Sequence, residues 1–168
     1  MLFSIGQGFD VHKLAEGESL IIGGVKIDYY KGTIAHSDGD VLIHAIIDAL
    51  LGAANLGDIG LLFPDSDSKY KNIDSKILLR ETVKLLCENH YEIGNIDSTI
   101  ILQKPKIAEY IPNMKEAISS VVGIETNQIS IKATTTERLG FEGRAEGVSA
   151  QAICLIKRIP LGIASGRQ

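Results

Sequence analysis

Asp40-Val41-Leu42-Ile43-His44-Ala45-Ile46-Ile47-Asp48-Ala49-Leu50-Leu51-Gly52-Ala53-Ala54 is the stretch that decides the fold. Val41, Leu42, Ala45, Ile46, Ala49 and Leu50 recur with the period of a helix. The other residues are nearly all apolar too, so this helix is expected to be buried. Its polar residues, Asp40, His44 and Asp48, fall at i, i+4 and i+8 and share one face. Burying such groups is costly unless they are paired or bind a cation. The seam is therefore either a solvated edge or the wall of a metal or substrate site.

Outward from this helix, strand-like and helix-like segments alternate. Residues 2–10 read as a strand, and residues 20–25 and 25–30 as extended pieces around Gly23-Gly24. A second helix is expected over residues 75–89 with Asp74 as its cap, and a third over residues 111–122 with Pro112 in its first turn. Residues 93–102, 129–133 and 147–157 read as strands. The pattern predicts an α/β (α+β) chain: one four-stranded mixed sheet with helices packed on one face. Residues 1–157 form the expected single domain, and 158–168 a disordered tail.

The 168 residues are enough for one stable core. A net charge of −4 argues against nucleic acid as the main partner, and no apolar run reaches the length of a membrane span. Cys87 and Cys154 have no metal or redox spacing, which suggests a reduced chain with buried thiols. The expected location is cytoplasmic, or an organelle after removal of a transit peptide.

Five further clusters carry chemistry. In Gly8-Phe9-Asp10-Val11-His12, Asp10 and His12 lie two apart and point to the same side of a strand. With His44 they make an Asp/His/His set of the kind zinc accepts, with one coordination position left open. In His36-Ser37-Asp38-Gly39-Asp40, Ser37 or Asp38 is a candidate cap for the first helix, whose start also suits a phosphate. The loop from Gly57 to Asp67 carries Phe63 beside Pro64, as a core plug or as part of a site. Lys132-Ala133-Thr134-Thr135-Thr136-Glu137 reads either as a capping box or as hydroxyls for phosphoryl oxygens, with Glu137 suited to Mg²⁺. The stretch from Gly140 to Gly147 adds glycines and Arg144 for anion contact.

Gly-Phe-Asp-Val-His, Ala-His-Ser-Asp-Gly-Asp with His44, Gly-Asp-Ile-Gly with Phe-Pro-Asp, and Lys-Ala-Thr-Thr-Thr-Glu stand in this order. Together they closely resemble the 2-C-methyl-D-erythritol 2,4-cyclodiphosphate synthase family, over residues 5–157. The resemblance implies a non-mevalonate isoprenoid enzyme, a phosphorus–oxygen lyase that cyclises 4-diphosphocytidyl-2-C-methyl-D-erythritol 2-phosphate and releases CMP. It implies Zn²⁺ on Asp10, His12 and His44, and Mg²⁺ or Mn²⁺ on the diphosphate, leaning on Glu137. His36 and Thr135 match catalytic positions. Substrate contacts are implied for Asp10, Val11, His12, His36, Ser37, Asp48, Asp58, Ile59, Gly60, Phe63, Pro64, Asp65, Ser66 and Asp67. On the cytidine and diphosphate side they are implied for Leu102, Gln103, Lys104, Pro105, Lys106, Ala133, Thr134, Thr135, Thr136, Glu137, Phe141 and Arg144. That side is expected from the neighbouring subunit of a homotrimer whose sheets face the threefold axis. Phe9, Arg144 and Glu146 match an axial cavity for an isoprenoid diphosphate. Leu102 departs from the family pattern, which has a small residue there.

Two other functions compete on the residues alone. A zinc-hydroxide phosphohydrolase would use the same triad but give a linear product. A trimeric scaffold with structural zinc would need a fourth ligand, which the two cysteines are poorly spaced to supply.

Overall fold

The computed structural model describes residues 2–160. Its strands are β1 (Phe3–Glu16), β2 (Leu20–Ile22), β3 (Val25–Ile27), β4 (Lys31–Ile34), β5 (Tyr91–Ile101), β6 (Ile129–Thr134) and β7 (Gly147–Arg158). Its helices are α1 (Val41–Ala54), α2 (Ile59–Leu62), α3 (Ser75–Glu88), α4 (Ile111–Val122) and α5 (Gly140–Gly143). The main sheet runs in the order β4-β1-β7-β5-β6, and β2 and β3 form a separate hairpin. Among the described residues only β5 and β6 pair in parallel, so the sheet is mixed as expected.

The sheet has five strands rather than four. The added edge, β4, is four residues long and contains Gly32, too little alternation to read as a strand. It exists because β1 runs on past residue 10 to Glu16 and pairs Lys13–Glu16 with it. Arg158, placed in the tail by the sequence, closes β7, and its N–H donates to Leu2 O. Ile159 N also donates back to the chain, to His90 O, and residues 161–168 of the expected tail lie outside the described residues.

The helices cover one face. α1 lies on β1 and β7, α3 packs against α1 and β5, and α4 against α3 and β6. Val41, Leu42, Ile43, Ile46, Ile47, Leu50 and Leu51 are all 0% exposed, so α1 is buried around nearly its whole circumference. The contact with β1 is backbone on backbone. A Cβ on Gly6 would stand 1.9 Å from Ala49 O, and one on Gly8 2.0 Å from Ala45 O. The two glycines thus let the helix sit directly on the strand, which sets the distance between their side chains.

The cap of the first helix differs from expectation. Asp74 caps α3 and Pro112 opens α4, as the sequence suggests. α1 is capped by Asp40, not by Ser37 or Asp38. Asp40 accepts from Ile43 N at 3.0 Å, Gly23 N at 2.9 Å and Gly24 N at 2.6 Å. It therefore ties the β2–β3 turn to the start of the helix, and its own charge is fully used there. Of the two cysteines, Cys154 is buried as expected but Cys87 is exposed, on the outer side of α3.

The other sheet face is open in the single chain. Phe3, Ile5, Phe9, Val11 and Ile153 are between 43% and 71% exposed on it.

Candidate metal centre and cleft

Asp10 and His12 project from β1 on the side of Gly6, Gly8 and Leu14, toward α1. The close seat of α1 on Gly8 brings His44 to meet them. Asp10 Oδ2 lies 3.0 Å from His12 Nε2 and 3.0 Å from His44 Nδ1. His12 Nε2 and His44 Nδ1 are 3.1 Å apart. One atom from each residue thus forms a near-equilateral triangle. Its edges approach the roughly 3.3 Å between neighbouring ligands on a tetrahedral ion with bonds of about 2.0 Å. Two imidazoles and a carboxylate match zinc by donor type, and the three together could hold a metal ion.

The electrostatics suit a cation. Burial pushes the Asp10 carboxyl up, but hydrogen bonds to His12 and His44 outweigh it and hold the group well below the usual carboxylate range. Burial pushes His44 down, and its bond to Asp10 outweighs that and leaves it raised. Asp48, the last residue of the seam, is half-buried and raised mainly by burial. Its Oδ1 accepts from Ile59 N at 2.8 Å. Asp48 therefore anchors the loop that carries Asp58 to Gly60.

The triad opens into a cleft of about 310 Å³. Of the residues singled out by the sequence, the cleft gathers Asp10, His12, His36, Ser37, His44, Ile59, Gly60, Phe63 and Asp65. Phe63 is both core plug and cleft wall: it is 8% exposed and packs edge-to-face on Tyr70. His36 Nε2 is buried at this wall with no hydrogen-bond partner among the described residues. Asp58 caps α2 through Leu61 N at 2.8 Å and does not line the cleft. Pro64 and Ser66 are exposed, and Asp67 pairs with Lys69. Val11 points to the opposite sheet face.

The second set of residues gathers elsewhere, at the ends of β5 and β6, and none of it lines this cleft. Leu102 N donates to Thr134 O at 3.0 Å, and Gln103 Oε1 accepts from Arg138 N at 3.2 Å. Leu102 is 5% exposed and packs in the core. Lys104 and Lys106 are exposed on either side of Pro105. No helix starts at Thr134, so the capping box does not form. Instead Thr135 Oγ1 donates to Glu137 Oε1 at 3.0 Å, and Glu137 and Arg138 take φ of 53° and 68°. Two successive side-chain-bearing residues in the left-handed region are costly and mark a special loop. Arg144 is bound bidentately by Glu146, at 2.9 and 3.0 Å, near exposed Phe141.

Ser75, Tyr70, Ile73 and Leu78 are site residues that sequence reasoning missed. Ser75 follows the cap Asp74 and carries no signal beyond a helix start, yet its Oγ is 2.9 Å from His44 Nε2. Tyr70, Ile73 and Leu78 read as ordinary apolar residues.

These features define an α/β protein with a three-ligand metal-type site open to a cleft beside α1. The chain belongs to the YgbB family, which matches residues 3–157. It is 56% identical over 159 residues to the 2-C-methyl-D-erythritol 2,4-cyclodiphosphate synthase of Bacteroides fragilis, covering 95% of this chain and 100% of that one. It is 60% identical over 152 residues to the synthase of Clostridium acetobutylicum, covering 90% and 98%. Among solved structures, the bifunctional IspDF of Campylobacter jejuni superposes with a TM-score of 0.90 at 43% identity, covering 94% of this chain and 42% of that one. The CDP complex of IspF from Plasmodium falciparum superposes with a TM-score of 0.82 at 38% identity, covering 94% and 97%.

Proposed function

We infer that this chain is an enzyme of the non-mevalonate isoprenoid route. It converts 4-diphosphocytidyl-2-C-methyl-D-erythritol 2-phosphate to the 2,4-cyclodiphosphate and releases CMP. The observation that carries the reading is the Asp10–His12–His44 triangle at the mouth of a cleft, in a chain of this family.

The 2-phosphate of the substrate attacks the β-phosphorus of its own diphosphate. A new P–O bond forms, the bond between the phosphates breaks, and CMP leaves with the electron pair. Nucleophile and electrophile share one molecule, so the protein needs no covalent nucleophile. Its tasks are to fold the substrate and to meet the charge of the transition state. Asp10, His12 and His44 would hold Zn²⁺, which supplies Lewis-acid polarisation and a template for one phosphate. His36, with its buried and unpartnered Nε2, donates to the charge that develops. Ser37, Ile59, Gly60, Phe63 and Asp65 wall the erythritol phosphate.

The Thr134–Glu137 strand end and Gln103–Lys106 handle the diphosphate and cytidine, with Thr135 at the reacting phosphate. Glu137 would hold a second cation, Mg²⁺ or Mn²⁺, which would supply charge neutralisation for the diphosphate. These residues lie outside the cleft of their own chain, which supports a homotrimer in which each site joins two subunits. The exposed apolar sheet face is the surface buried around the axis, and Phe9, Arg144 and Glu146 line an axial cavity for an isoprenoid diphosphate. The enzyme acts in the cytoplasm.

The test is CMP release from the cytidylated substrate with and without chelator, with mass spectrometry of the product. Cyclic diphosphate plus CMP, abolished by chelator and restored by zinc, is expected. A linear product with free phosphate would mean a hydrolase instead.

A further inference from the structure

We propose that Ser75, held by Asp38, is a positioning residue for the triad: it fixes His44 with its hydrogen on Nε2 and so makes Nδ1 the ligand atom. The inference rests on the triad holding a metal, as read above.

The bonding follows from which groups can donate. The Asp38 carboxylate only accepts. Its Oδ2 accepts from Ser75 N at 3.0 Å, and its Oδ1 accepts from the Ser75 hydroxyl in a very short bond. The hydroxyl has one hydrogen, and Asp38 takes it. Ser75 Oγ can therefore only accept from His44 Nε2, 2.9 Å away, so Nε2 carries N–H. Ser37 Oγ is a longer contact of the same nitrogen, at 3.2 Å. Ser75 is 0% exposed, so water does not compete for the bond.

With its hydrogen on Nε2, the neutral ring turns the Nδ1 lone pair to the triad. Nδ1 then faces Asp10 Oδ2 at 3.0 Å and His12 Nε2 at 3.1 Å. A lone pair set against a carboxylate oxygen at that distance is repulsive unless a proton or a metal ion lies between them, and the metal would take the place of the proton that joins Nδ1 to Asp10 in the metal-free chain. Placing the hydrogen on Nε2 thus makes Nδ1 the atom that meets the cation. Asp38 also accepts from Asp40 N at 3.2 Å, and its own N–H donates to Ile73 O at 3.1 Å. One carboxylate thus joins the approach to α1 and the start of α3 to the orientation of the ligand.

The experiment measures zinc affinity of the full chain by competition with a chromophoric chelator, for wild type, His44→Ala, Ser75→Ala and Ser75→Thr. Partners of ligating imidazoles typically contribute ten- to a hundredfold, so Ser75→Ala is expected to weaken zinc by about 10–100-fold while keeping one ion per chain. Ser75→Thr, which keeps the hydroxyl, should recover most of that loss. In the zinc-loaded wild type, long-range ¹H–¹⁵N NMR should find His44 metallated at Nδ1 and protonated at Nε2. Affinity of Ser75→Ala within about twofold of wild type, or metallation at Nε2, overturns the proposal. The NMR arm decides alone if the variants do not fold. Wild type that binds no zinc overturns the metal reading itself. Zinc lost in His44→Ala but unchanged in Ser75→Ala overturns only the role of Ser75.

Discussion

Asp40 and His44 stand one turn apart on the same seam of α1, and the sequence treats them alike. The structure separates them. Asp40 spends its charge on three backbone amides, while His44 turns to a strand residue and a serine. A buried polar residue at a helix start can be a cap or a ligand, and only the distant Gly23-Gly24 turn decides which. The same limit explains Ser75, whose role depends on a partner 31 residues away. Asp10, His12 and His44 were legible because strand period and helix period each fix a direction for the side chain. The burial of Asp40 has a consequence with pH. Burial pushes its carboxyl up to about 6 from the ordinary 3.8, against the amide bonds that favour the charge. The folded chain therefore holds this proton more tightly than the unfolded chain. Its contribution to stability is full below 3.8 and is lost as pH rises through about 6. Two pH units correspond to about 3 kcal/mol. Urea unfolding in chelator should show wild type losing about 3 kcal/mol relative to Asp40→Asn between about pH 4 and about pH 7. Parallel pH curves would assign the carboxyl an ordinary affinity.

Gly6 and Gly8 make the helix–strand contact at the scale of elements, and the triad depends on it. Gly8→Ala places a methyl 2.0 Å from Ala45 O, well inside van der Waals contact. The expected cost is about 3 kcal/mol or more, seen as a Tm lower by roughly 6–12 °C. Zinc binding should weaken with it, because α1 must lift His44 away from Asp10 and His12. Gly52→Ala on the same helix is the contrast, since nothing lies within 4 Å of its added carbon. It should stabilise by roughly 0.5–1 kcal/mol through helix propensity alone. A loss at both positions, measured by thermal unfolding, would argue against the close seat as the cause. The thiols give a second check on the layering. Burial pushes Cys154, under α1, up to about 12, so it stays a thiol at neutral pH. Iodoacetamide on the native chain should add one group, on exposed Cys87, and a second only after unfolding. The helices and long strands were readable because each carries several turns or alternations of signal. β4 was not, because its four residues are defined by the end of β1 rather than by their own pattern.

At the scale of the whole molecule, the chain keeps its two candidate groups apart. The triad cleft lies beside α1, and the threonine-rich strand end lies at the β5–β6 side of the sheet. The sequence names both groups but contains no term for the distance between them, which the sheet order alone supplies. The row of Phe3, Ile5, Phe9, Val11 and Ile153 is apolar, exposed and central to the sheet, a surface of the kind that marks an interface. A closed ring of three copies would bury it, and a head-to-tail ring would carry one subunit's strand end to the next subunit's cleft, as proposed above. Ile5, 71% exposed, tests the surface. Ile5→Asp should leave monomers in sedimentation analysis and abolish CMP release although every cleft residue is intact. Shared sites make a sharper demand. A chain with His44→Ala and a chain with Thr135→Ala are each expected to be inactive as pure trimers. Co-expressed and mixed at random, they place an intact cleft beside an intact strand end at about one interface in four. Such mixtures should recover roughly a quarter of wild-type CMP release, whereas sites built within one chain would recover none.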